Sequence, residues 1–254
     1  MQLLKDKIAV VTGAAQGIGR AVAEVFAEQG ASVVMGDVMV EKVEAVAGEI
    51  AAKTGRPVTG MRLDVSRKAE VEELVRFTKE RFGGIDILVN NAGILRPNLI
   101  VNLPEEDWDL VYSINVKGTF LCSQAVAREM IQQRRGGIII IMSSASGKKP
   151  DPEGAAYCSS KSAVIGLMRV LALELGPYGI RANAILPGAT DTEMLRDLFV
   201  KLPDLKDMLA ARTPLGKMAE ARDQANAALF LASDLACHIT GEQLVVSGGE
   251  FMAG

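Results

Sequence analysis

The sequence predicts an α/β protein in which seven parallel strands form one doubly wound sheet with helices on both faces. Short apolar runs alternate with longer stretches of helical periodicity along almost the whole 254-residue chain. Most of the short runs are uninterrupted valine, isoleucine and leucine, which is typical of strands buried on both faces of a parallel sheet. With 49% hydrophobic residues, the chain has enough apolar material for one large core. We therefore expect residues 1–254 to form a single domain.

The period of the apolar residues separates the predicted strands from the predicted helices. Each strand is a short apolar run, and each helix is a longer stretch whose apolar residues recur with a period of about 3.6. In chain order, the predicted strands are Ile8–Thr12, Ser32–Gly36, Val58–Leu63, Ile87–Asn90, Ile138–Met142, Arg181–Leu186 and Gln243–Val246. The predicted helices are Gly17–Gln29, Val40–Lys53, Lys68–Phe82, Pro104–Gln133, Ala155–Leu175 and Ala221–Ala232.

One long segment, Gly188–Lys217, falls outside this alternation of strands and helices. A segment of this length in a compact domain is usually functional, so we expect it to form a lid or substrate loop. Its apolar residues either form an apolar wall for the substrate or pack against the protein, and the sequence leaves both open. These residues are Met194, Leu195, Leu198, Phe199, Leu205, Met208 and Leu209.

Charge and composition argue against nucleic-acid and membrane partners. The formal net charge is −3, and the lysines and arginines are spread along the chain rather than massed into a phosphate-binding surface. The first residues place charges before a short apolar run that stops at Gly13, which is too short for a signal peptide or a membrane span. We therefore expect a cytoplasmic protein that acts on a small molecule.

The cysteines and the single histidine argue against a metal site. Cys122, Cys158 and Cys237 are far apart and lack the paired spacing of a zinc site or a disulfide framework. His238 lies near the C-terminus without a neighbouring ligand cluster, so zinc catalysis and a Ser/His/Asp triad are both disfavoured. We expect three reduced thiols and no metal.

A glycine-rich turn joins the first predicted strand to the first predicted helix. In the stretch TGAAQGIG, which is Thr12–Gly19, the glycines allow a tight turn and let the backbone approach a pyrophosphate at the helix N-terminus. Such a turn alone is a weak signal, because many glycine-rich turns bind nothing. Its place between a strand and a helix favours a dinucleotide-binding, Rossmann-like fold.

The residue at the end of the second predicted strand favours NAD over NADP. A carboxylate at Asp37 can accept hydrogen bonds from the ribose hydroxyls of NAD and would repel the 2′-phosphate of NADP. The neighbouring Gln16 is uncharged, so the loop itself offers no cation for that phosphate. The alternative is that Asp37 only caps the following helix.

Together, several short motifs in fixed order resemble the classical short-chain dehydrogenase/reductase (SDR) family, and the resemblance covers essentially the whole chain. Each motif is modest evidence alone, but the set is very specific. The motifs are TGAAQGIG at 12–19, Asp64 in LDVS, NNAG at 90–93, Asn115 in SINVKG, Ser144 in MSSASG, Tyr157 and Lys161 in YCSSK, and PGATDT at 187–192.

The resemblance implies that Asn115, Ser144, Tyr157 and Lys161 form the catalytic set. Tyr157 and Lys161 stand at i and i+4, so both fall on one face of a helix. A free phenol has a pKa of about 10, and we expect the ammonium and an oxidised nicotinamide to lower the pKa of Tyr157 toward the range of efficient proton transfer. Ser144 would then steady the substrate oxygen, and Asn115 would hold a water behind Lys161. For a Tyr and a Lys on a helix without the other motifs, simple surface packing would be the better reading.

The same resemblance implies a set of cofactor-binding residues along the carboxyl ends of the strands. Other readings stay open: Asn90 as a purely structural turn residue, Asp64 as a residue that only fixes its loop, and Thr192 as a helix cap. The implied cofactor residues are Gly13, Gln16, Gly17, Ile18, Gly19, Asp37, Asp64, Val65, Asn91, Ala92, Gly93, Tyr157, Lys161, Pro187, Gly188, Thr190 and Thr192.

The function implied is an NAD-dependent oxidoreductase that transfers a hydride between nicotinamide and a secondary alcohol or ketone. A polyol, sugar or hydroxy-acid dehydrogenase is favoured, because acyl-carrier reductases of the family commonly prefer NADPH and Asp37 argues against it. The alternatives are a 3-oxoacyl-thioester reductase and an NAD-sensing protein without turnover.

The family also implies a homotetramer that pairs through Pro104–Gln133 and Ala155–Leu175. Ser247 departs from the aspartate that many relatives carry.

Overall fold

The parallel strands of the computed structural model, which describes residues 2–252, alternate with helices as the sequence predicts. The strands are β1 (Ile8–Thr12), β2 (Ser32–Asp37), β3 (Val58–Arg62), β4 (Ile87–Asn90), β5 (Gly137–Met142), β6 (Ile180–Pro187), β7 (Thr190–Asp191), β8 (Ala219–Glu220) and β9 (Gln243–Val246). The helices are α1 (Gly17–Glu28), α2 (Val40–Thr54), α3 (Lys68–Phe82), α4 (Glu105–Tyr112), α5 (Thr119–Gln133), α6 (Ala155–Leu175), α7 (Glu193–Lys201), α8 (Leu205–Arg212) and α9 (Ala221–Ala232).

Seven of these strands form one parallel sheet in the order β3-β2-β1-β4-β5-β6-β9. The chain winds outward from β1 in one direction and then, from β4 onward, in the other. Strand order therefore reverses between β1 and β4, and ligands of open α/β sheets bind at such a reversal, beyond the carboxyl ends of the strands. The short strands β7 and β8 pair with each other outside this sheet.

Alternate residues of the strands point into two separate cores, one on each face of the sheet. Ala9 and Val11 of β1 face the core under α1, α2 and α9, whereas Val10 between them faces the core under α3, α5 and α6. Both faces are thus covered, which confirms the doubly wound single-domain α/β fold and explains why most strands lack polar alternation.

The predicted helix Pro104–Gln133 is interrupted by a turn of π-helix at Ser113–Gly118. The backbone stays right-handed helical from α4 through this turn into α5. The buried side chain of Asn115 lies at the turn and bonds to the backbone of Ile94 rather than facing an ordinary helical neighbour. Such π-turns often mark functional sites.

Two further segments differ from a simple reading of the sequence. The 188–217 segment, predicted as a loop, contains α7 and α8. The stretch Ala155–Tyr178 is long and apolar enough, by length and composition, to cross a membrane. In this fold Val164, Ile165 and Met168 of that stretch lie in the core against the sheet, which accounts for much of its apolar character.

Candidate active site

The carboxyl ends of the sheet strands open into one cleft of about 1130 Å³. The cleft lies at the reversal of strand order described above. Of the site residues expected from the sequence, all but Gly19 and Asn115 line it, and those two lie directly behind lining residues. The folded chain therefore brings together the side chains and loops that the motifs single out.

The phosphate loop is shaped by close backbone packing. Gly13 and Gly17 have positive φ angles of 63° and 55°, a conformation that other residues rarely adopt. Asn91 fastens the loop, because its Nδ2 donates to the carbonyl oxygens of Thr12 at 3.1 Å and Gly13 at 2.8 Å. A Cβ on Gly19 would lie 2.2 Å from the Gly13 carbonyl oxygen, so only glycine fits there.

The N-terminus of α1 fits an anionic group. Gln16, at its N-cap, makes no side-chain capping hydrogen bond, and the first turn carries no acidic residue. The helix dipole and the backbone N–H groups therefore face the cleft without a competing side-chain cap. This arrangement, with the glycine turn before it, fits the diphosphate of a dinucleotide.

Asp37 is a buried carboxylate that joins two cofactor loops. Its two oxygens accept hydrogen bonds from the backbone N–H groups of Ala15 and Met39, both at 3.0 Å. Because Met39 precedes α2 and is its N-cap, Asp37 holds the entry to that helix and also faces the cleft. Lys42 of α2 donates to the Gln16 side chain, so a cation stands beside the loop although the loop sequence contains none.

Lys161 lies between the other members of the catalytic set. It is 6% exposed, and its Nζ donates to the Met142 carbonyl oxygen at 2.9 Å and lies 5.5 Å from the centre of the Tyr157 ring. A Cβ on Gly93 would lie 3.3 Å from that Nζ and 3.2 Å from Asn115 Oδ1, so the Lys and the Asn meet at this glycine.

Asn115 is held rigidly behind this group. Its Oδ1 accepts from the Ile94 N–H at 2.9 Å, and its Nδ2 donates to the Ile94 carbonyl oxygen at 3.1 Å and to Ser160 Oγ at 3.0 Å. Ser160 directly precedes Lys161 on α6. The π-turn thus connects the loop after β4 with the catalytic helix.

Burial changes the pKa values of Tyr157 and Lys161 in ways that the spacing did not predict. We expected a lowered pKa for the Tyr157 phenol, but burial raises it, and a hydrogen bond with Ser144 only partly opposes this rise. Burial also lowers the pKa of Lys161 to about 8. In the protein without cofactor, desolvation of the phenol thus outweighs the expected lowering of the Tyr157 pKa. The lowering expected beside an oxidised nicotinamide stays a prediction.

Asp64 fixes the loop after β3 and also faces the cleft; its role toward a cofactor stays a prediction. Its Oδ1 accepts from the Ser66 N–H at 3.0 Å and the Ser66 hydroxyl at 2.6 Å, so it fixes its own loop. It also lines the cleft beside Val65. Val65 packs against the backbone of Gly118 at the end of the π-turn, where a Cβ would come within 2.5 Å of it.

The loop after β6 closes over the phosphate loop. The side chain of Thr192 and the carboxylate of Glu193 both lie 3.5 Å from where a Cβ of Gly17 would be. Thr192 directly precedes α7. Its carbonyl oxygen accepts hydrogen bonds from the N–H groups of Leu195 and Arg196 in the first turn, at 3.0 and 3.2 Å. Pro187, Gly188 and Thr190 line the same side of the cleft.

Several residues around the site were not found from the sequence. Gln224 of α9 is fully buried and donates to Thr190 Oγ1 at 3.2 Å and to the Val246 carbonyl oxygen at 2.9 Å. A buried polar residue on the apolar face of α9 was the only available signal. Ser247 also has a local role, since its hydroxyl bonds the Phe251 backbone at 3.1 and 3.2 Å.

The apolar residues of the 188–217 segment follow the substrate-wall reading only in part, and Met208 is 53% exposed. Met194, Leu195, Leu205 and Leu209 line the cleft. Phe199 and Met208 are not among the lining residues. The side chain of Leu198 lies outside the described residues.

Comparison with known proteins supports the family suggested by the motifs. Residues 13–250 match the family model described as enoyl-(acyl carrier protein) reductase. The chain is 42% identical to the (2S)-[(R)-hydroxy(phenyl)methyl]succinyl-CoA dehydrogenase subunit BbsD of Thauera aromatica, covering 97% of each chain. It is 41% identical to the 3-oxoacyl-[acyl-carrier-protein] reductase FabG of Staphylococcus epidermidis, covering 97% of this chain and all of that protein (100%).

Two further relatives extend this agreement. The chain is 40% identical to the NAD-dependent glycerol dehydrogenase of Listeria innocua, covering 97% of this chain and 94% of the relative. It superimposes on a short-chain type dehydrogenase/reductase from Mycobacterium marinum with a TM-score of 0.92 at 35% identity, covering 98% and 97% of the two chains. The fold and the cleft are those of a nicotinamide-cofactor oxidoreductase. The chain belongs to the short-chain dehydrogenase/reductase family.

Proposed function

We propose that this protein is an NAD-dependent dehydrogenase that interconverts a secondary alcohol and the corresponding ketone. The observation that carries the proposal is the meeting of Ser144, Tyr157 and Lys161 in the cleft that also holds the glycine-rich phosphate loop. A phenol, a hydroxyl and an ammonium at the end of a dinucleotide site suit proton transfer coupled to hydride transfer. When bound, the nicotinamide ring supplies or accepts the hydride.

Each catalytic side chain has a distinct task in this proposal. The Tyr157 hydroxyl gives its proton to the carbonyl oxygen when a ketone is reduced, and takes the proton back when the alcohol is oxidised. Ser144 donates a hydrogen bond to the same substrate oxygen and stabilises its developing charge. Lys161 supplies positive charge beside the phenolate, and Asn115 fixes the backbone and the helix that position Lys161.

The preference for NAD over NADP rests on Asp37. A buried carboxylate facing the cleft suits ribose hydroxyls and would repel a 2′-phosphate. Lys42, a cation beside this loop, already donates to Gln16. One relative is named as an NAD-dependent glycerol dehydrogenase, which agrees with this choice.

The substrate class favoured by the sequence is a polyol, sugar or hydroxy acid, with a 3-oxoacyl thioester as the alternative. The alternative is supported by the acyl-carrier-protein reductases among the relatives and by apolar side chains lining the cleft, such as Leu95 and Leu205. An NAD-sensing protein without turnover is disfavoured, since it has no need for Ser144, Tyr157 and Lys161 together.

We further propose a cytoplasmic homotetramer that pairs through α4, α5 and α6.

The cofactor assignment is tested by changing Asp37 to asparagine, whose single side-chain oxygen can still accept from one of the two N–H groups, that of Ala15 or that of Met39. Binding of NADH and NADPH is measured by fluorescence titration, and turnover is followed at 340 nm with polyols, sugars, hydroxy acids and a 3-oxoacyl thioester. The preference for NADH should fall by about tenfold or more, because removal of one like charge near a phosphate is worth about 1–4 kcal/mol.

The matched control is Glu44→Gln, which removes an exposed carboxylate from α2. It should leave the preference unchanged. An Asp37→Asn protein that folds normally and still discriminates as the wild type does would show that another residue selects the cofactor.

A further inference from the structure

We propose that the substrate joins an apolar body to an anionic group and that Arg212, at the end of α8, binds the anionic group. This inference rests on the proposed function, because it concerns the substrate of the same cleft. It narrows the favoured substrates to acids and acidic conjugates and argues against neutral polyols and sugars.

The apolar body is inferred from walls of the cleft that the proposed cofactor contacts do not explain. They come from three parts of the chain: the loop after β4, the α7–α8 region and the C-terminal turn. A neutral polyol placed against such walls would lose hydrogen bonds to water without regaining them, which is costly for each unpaired hydroxyl. The wall residues are Leu95, Met194, Leu202, Leu205, Leu209 and Phe251.

The acidic side chains on these walls are mostly engaged with other groups of the protein. Glu250 accepts from the Ala189 N–H at 3.2 Å, and Asp151 accepts from the Ser146 hydroxyl at 3.0 Å. Glu193 pairs with Arg196 at 3.5 Å. Each of these three carboxylates thus has a hydrogen-bond or ion-pair partner other than Arg212.

Arg212 has no acidic partner among the side chains that the structure describes. Lys149 and Glu153 belong to the same loop between β5 and α6, so that loop places one cation and one carboxylate at the cleft. Arg212 lines the cleft from the end of α8, near Leu209, and its side chain is exposed. An exposed arginine beside apolar residues and without an acidic partner is suited to an anionic ligand.

The chemistry of the guanidinium specifies what it would recognise. Its planar fork of donors matches the two oxygens of a carboxylate or a phosphate. The anion has two possible sources: the carboxylate of a free hydroxy or oxo acid, or a phosphate of a coenzyme A thioester. Both share an apolar acyl body and an anionic end, and the experiment below distinguishes them.

The test measures binding of unreactive ligands, so that it does not depend on turnover. Isothermal titration of the NADH-saturated protein compares octanoate with octanamide, and octanoyl-coenzyme A with octanoyl-pantetheine, which lacks the phosphates. At least one charged ligand should bind about tenfold or more tightly than its neutral partner, since a hydrogen bond to a charged group contributes about 1.5–3 kcal/mol.

Variants assign that preference to one residue. Arg212→Gln should remove the preference for the charged ligand, Arg212→Lys should keep part of it, and Arg128→Gln, on the exposed side of α5, should keep all of it. A preference confined to octanoate indicates a carboxylate, and one confined to octanoyl-coenzyme A indicates a phosphate. Equal binding of charged and neutral ligands, or a preference that survives in a folded Arg212→Gln protein, overturns the proposal. Failure of the proposed dehydrogenase activity would leave these binding results intact.

Discussion

At the scale of single residues, the least expected feature is the burial of Lys161. Its ammonium is almost removed from solvent and has one carbonyl oxygen, that of Met142, as its hydrogen-bond partner in the protein. Burial lowers its pKa from the usual 10.5 to about 8. Below pH 8 the folded protein therefore carries a charge in an environment that disfavours it, which lowers its stability but which the proposed mechanism requires.

This burial predicts a pH-dependent stability difference between the wild type and Lys161→Met. Between about pH 8 and 10.5 the unfolded chain still holds the lysine proton while the folded chain has released it, so wild-type stability gains with rising pH. The pKa difference corresponds to about 3 kcal/mol. The free energy of unfolding of Lys161→Met, relative to wild type, should thus be highest below pH 8 and fall toward pH 10 in urea titrations.

Lys117→Met, at an exposed position, is the matched control and should show a difference that does not vary with pH in this way. A Lys161→Met difference that is flat from pH 7 to 10 would mean that the buried ammonium is stabilised by groups other than those seen here.

Some site residues follow from local spacing, and others do not. Tyr157 and Lys161 share a helical face because they stand four positions apart, so sequence suffices to pair them. Gln224 and Arg212 reach the site from helices far along the chain, and Gln224 is marked only as a polar residue on the apolar face of α9. The pKa shift of Tyr157 was also beyond the sequence, because it depends on how deeply both partners are buried.

At the scale of elements, the turn between β1 and α1 combines tight packing with an open helix end. Gly19 lies inside this packing, with the Gly13 carbonyl oxygen 2.2 Å and Asn91 Nδ2 2.5 Å from the position of a Cβ. Neither group can move freely, because Asn91 itself bonds the backbone of Gly13. The phosphate loop therefore depends on the absence of a side chain at this position.

Gly19→Ala should weaken NADH binding by about a hundredfold or more, since a displaced backbone no longer presents the helix end to the diphosphate. Fluorescence titration with NADH measures the effect. Gly48→Ala serves as control: Gly48 is an exposed residue of α2 with nothing within 4 Å of its Cβ position, and alanine there should add about 0.5–1 kcal/mol of stability. Wild-type NADH affinity in Gly19→Ala would contradict the described loop.

The spacing of apolar residues predicts some of these elements and misses others. The strands were predictable because uninterrupted apolar runs of this length suit a sheet covered on both faces. The π-turn within Pro104–Gln133 was not, because it is fixed by hydrogen bonds from Asn115 to the distant backbone of Ile94. The helices of the 188–217 segment were likewise hidden among residues read as a loop.

At the scale of the whole molecule, several large apolar side chains remain outside the two cores, and three of them lie on α5 and α6. On α6, Leu173 is 80% exposed and Val170 46% exposed, and Phe120 of α5 is 43% exposed. Large exposed apolar side chains grouped on packed helices usually mark an interface. They lie on the helices through which members of the family are expected to pair.

The proposed homotetramer predicts that Leu173→Asp shifts the protein to smaller species. A charge placed in an apolar contact loses water without gaining a partner, which weakens association strongly. Sedimentation velocity measures the species for wild type, Leu173→Asp and the control Val200→Asp, which alters an exposed residue of α7. A tetramer that withstands Leu173→Asp would place the subunit contacts elsewhere.

The central claim is that the Tyr157 hydroxyl transfers the proton, whereas the glycine-rich turn and the start of α1 provide most of the cofactor binding. The most direct measurement compares wild type and Tyr157→Phe by NADH titration and by turnover at 340 nm on a substrate that the wild type uses. We predict nearly unchanged NADH affinity and a turnover number lower by about 10² to 10⁴-fold, the usual contribution of general acid–base catalysis. Turnover equal to that of the wild type in a Tyr157→Phe protein that binds NADH normally would contradict the mechanism.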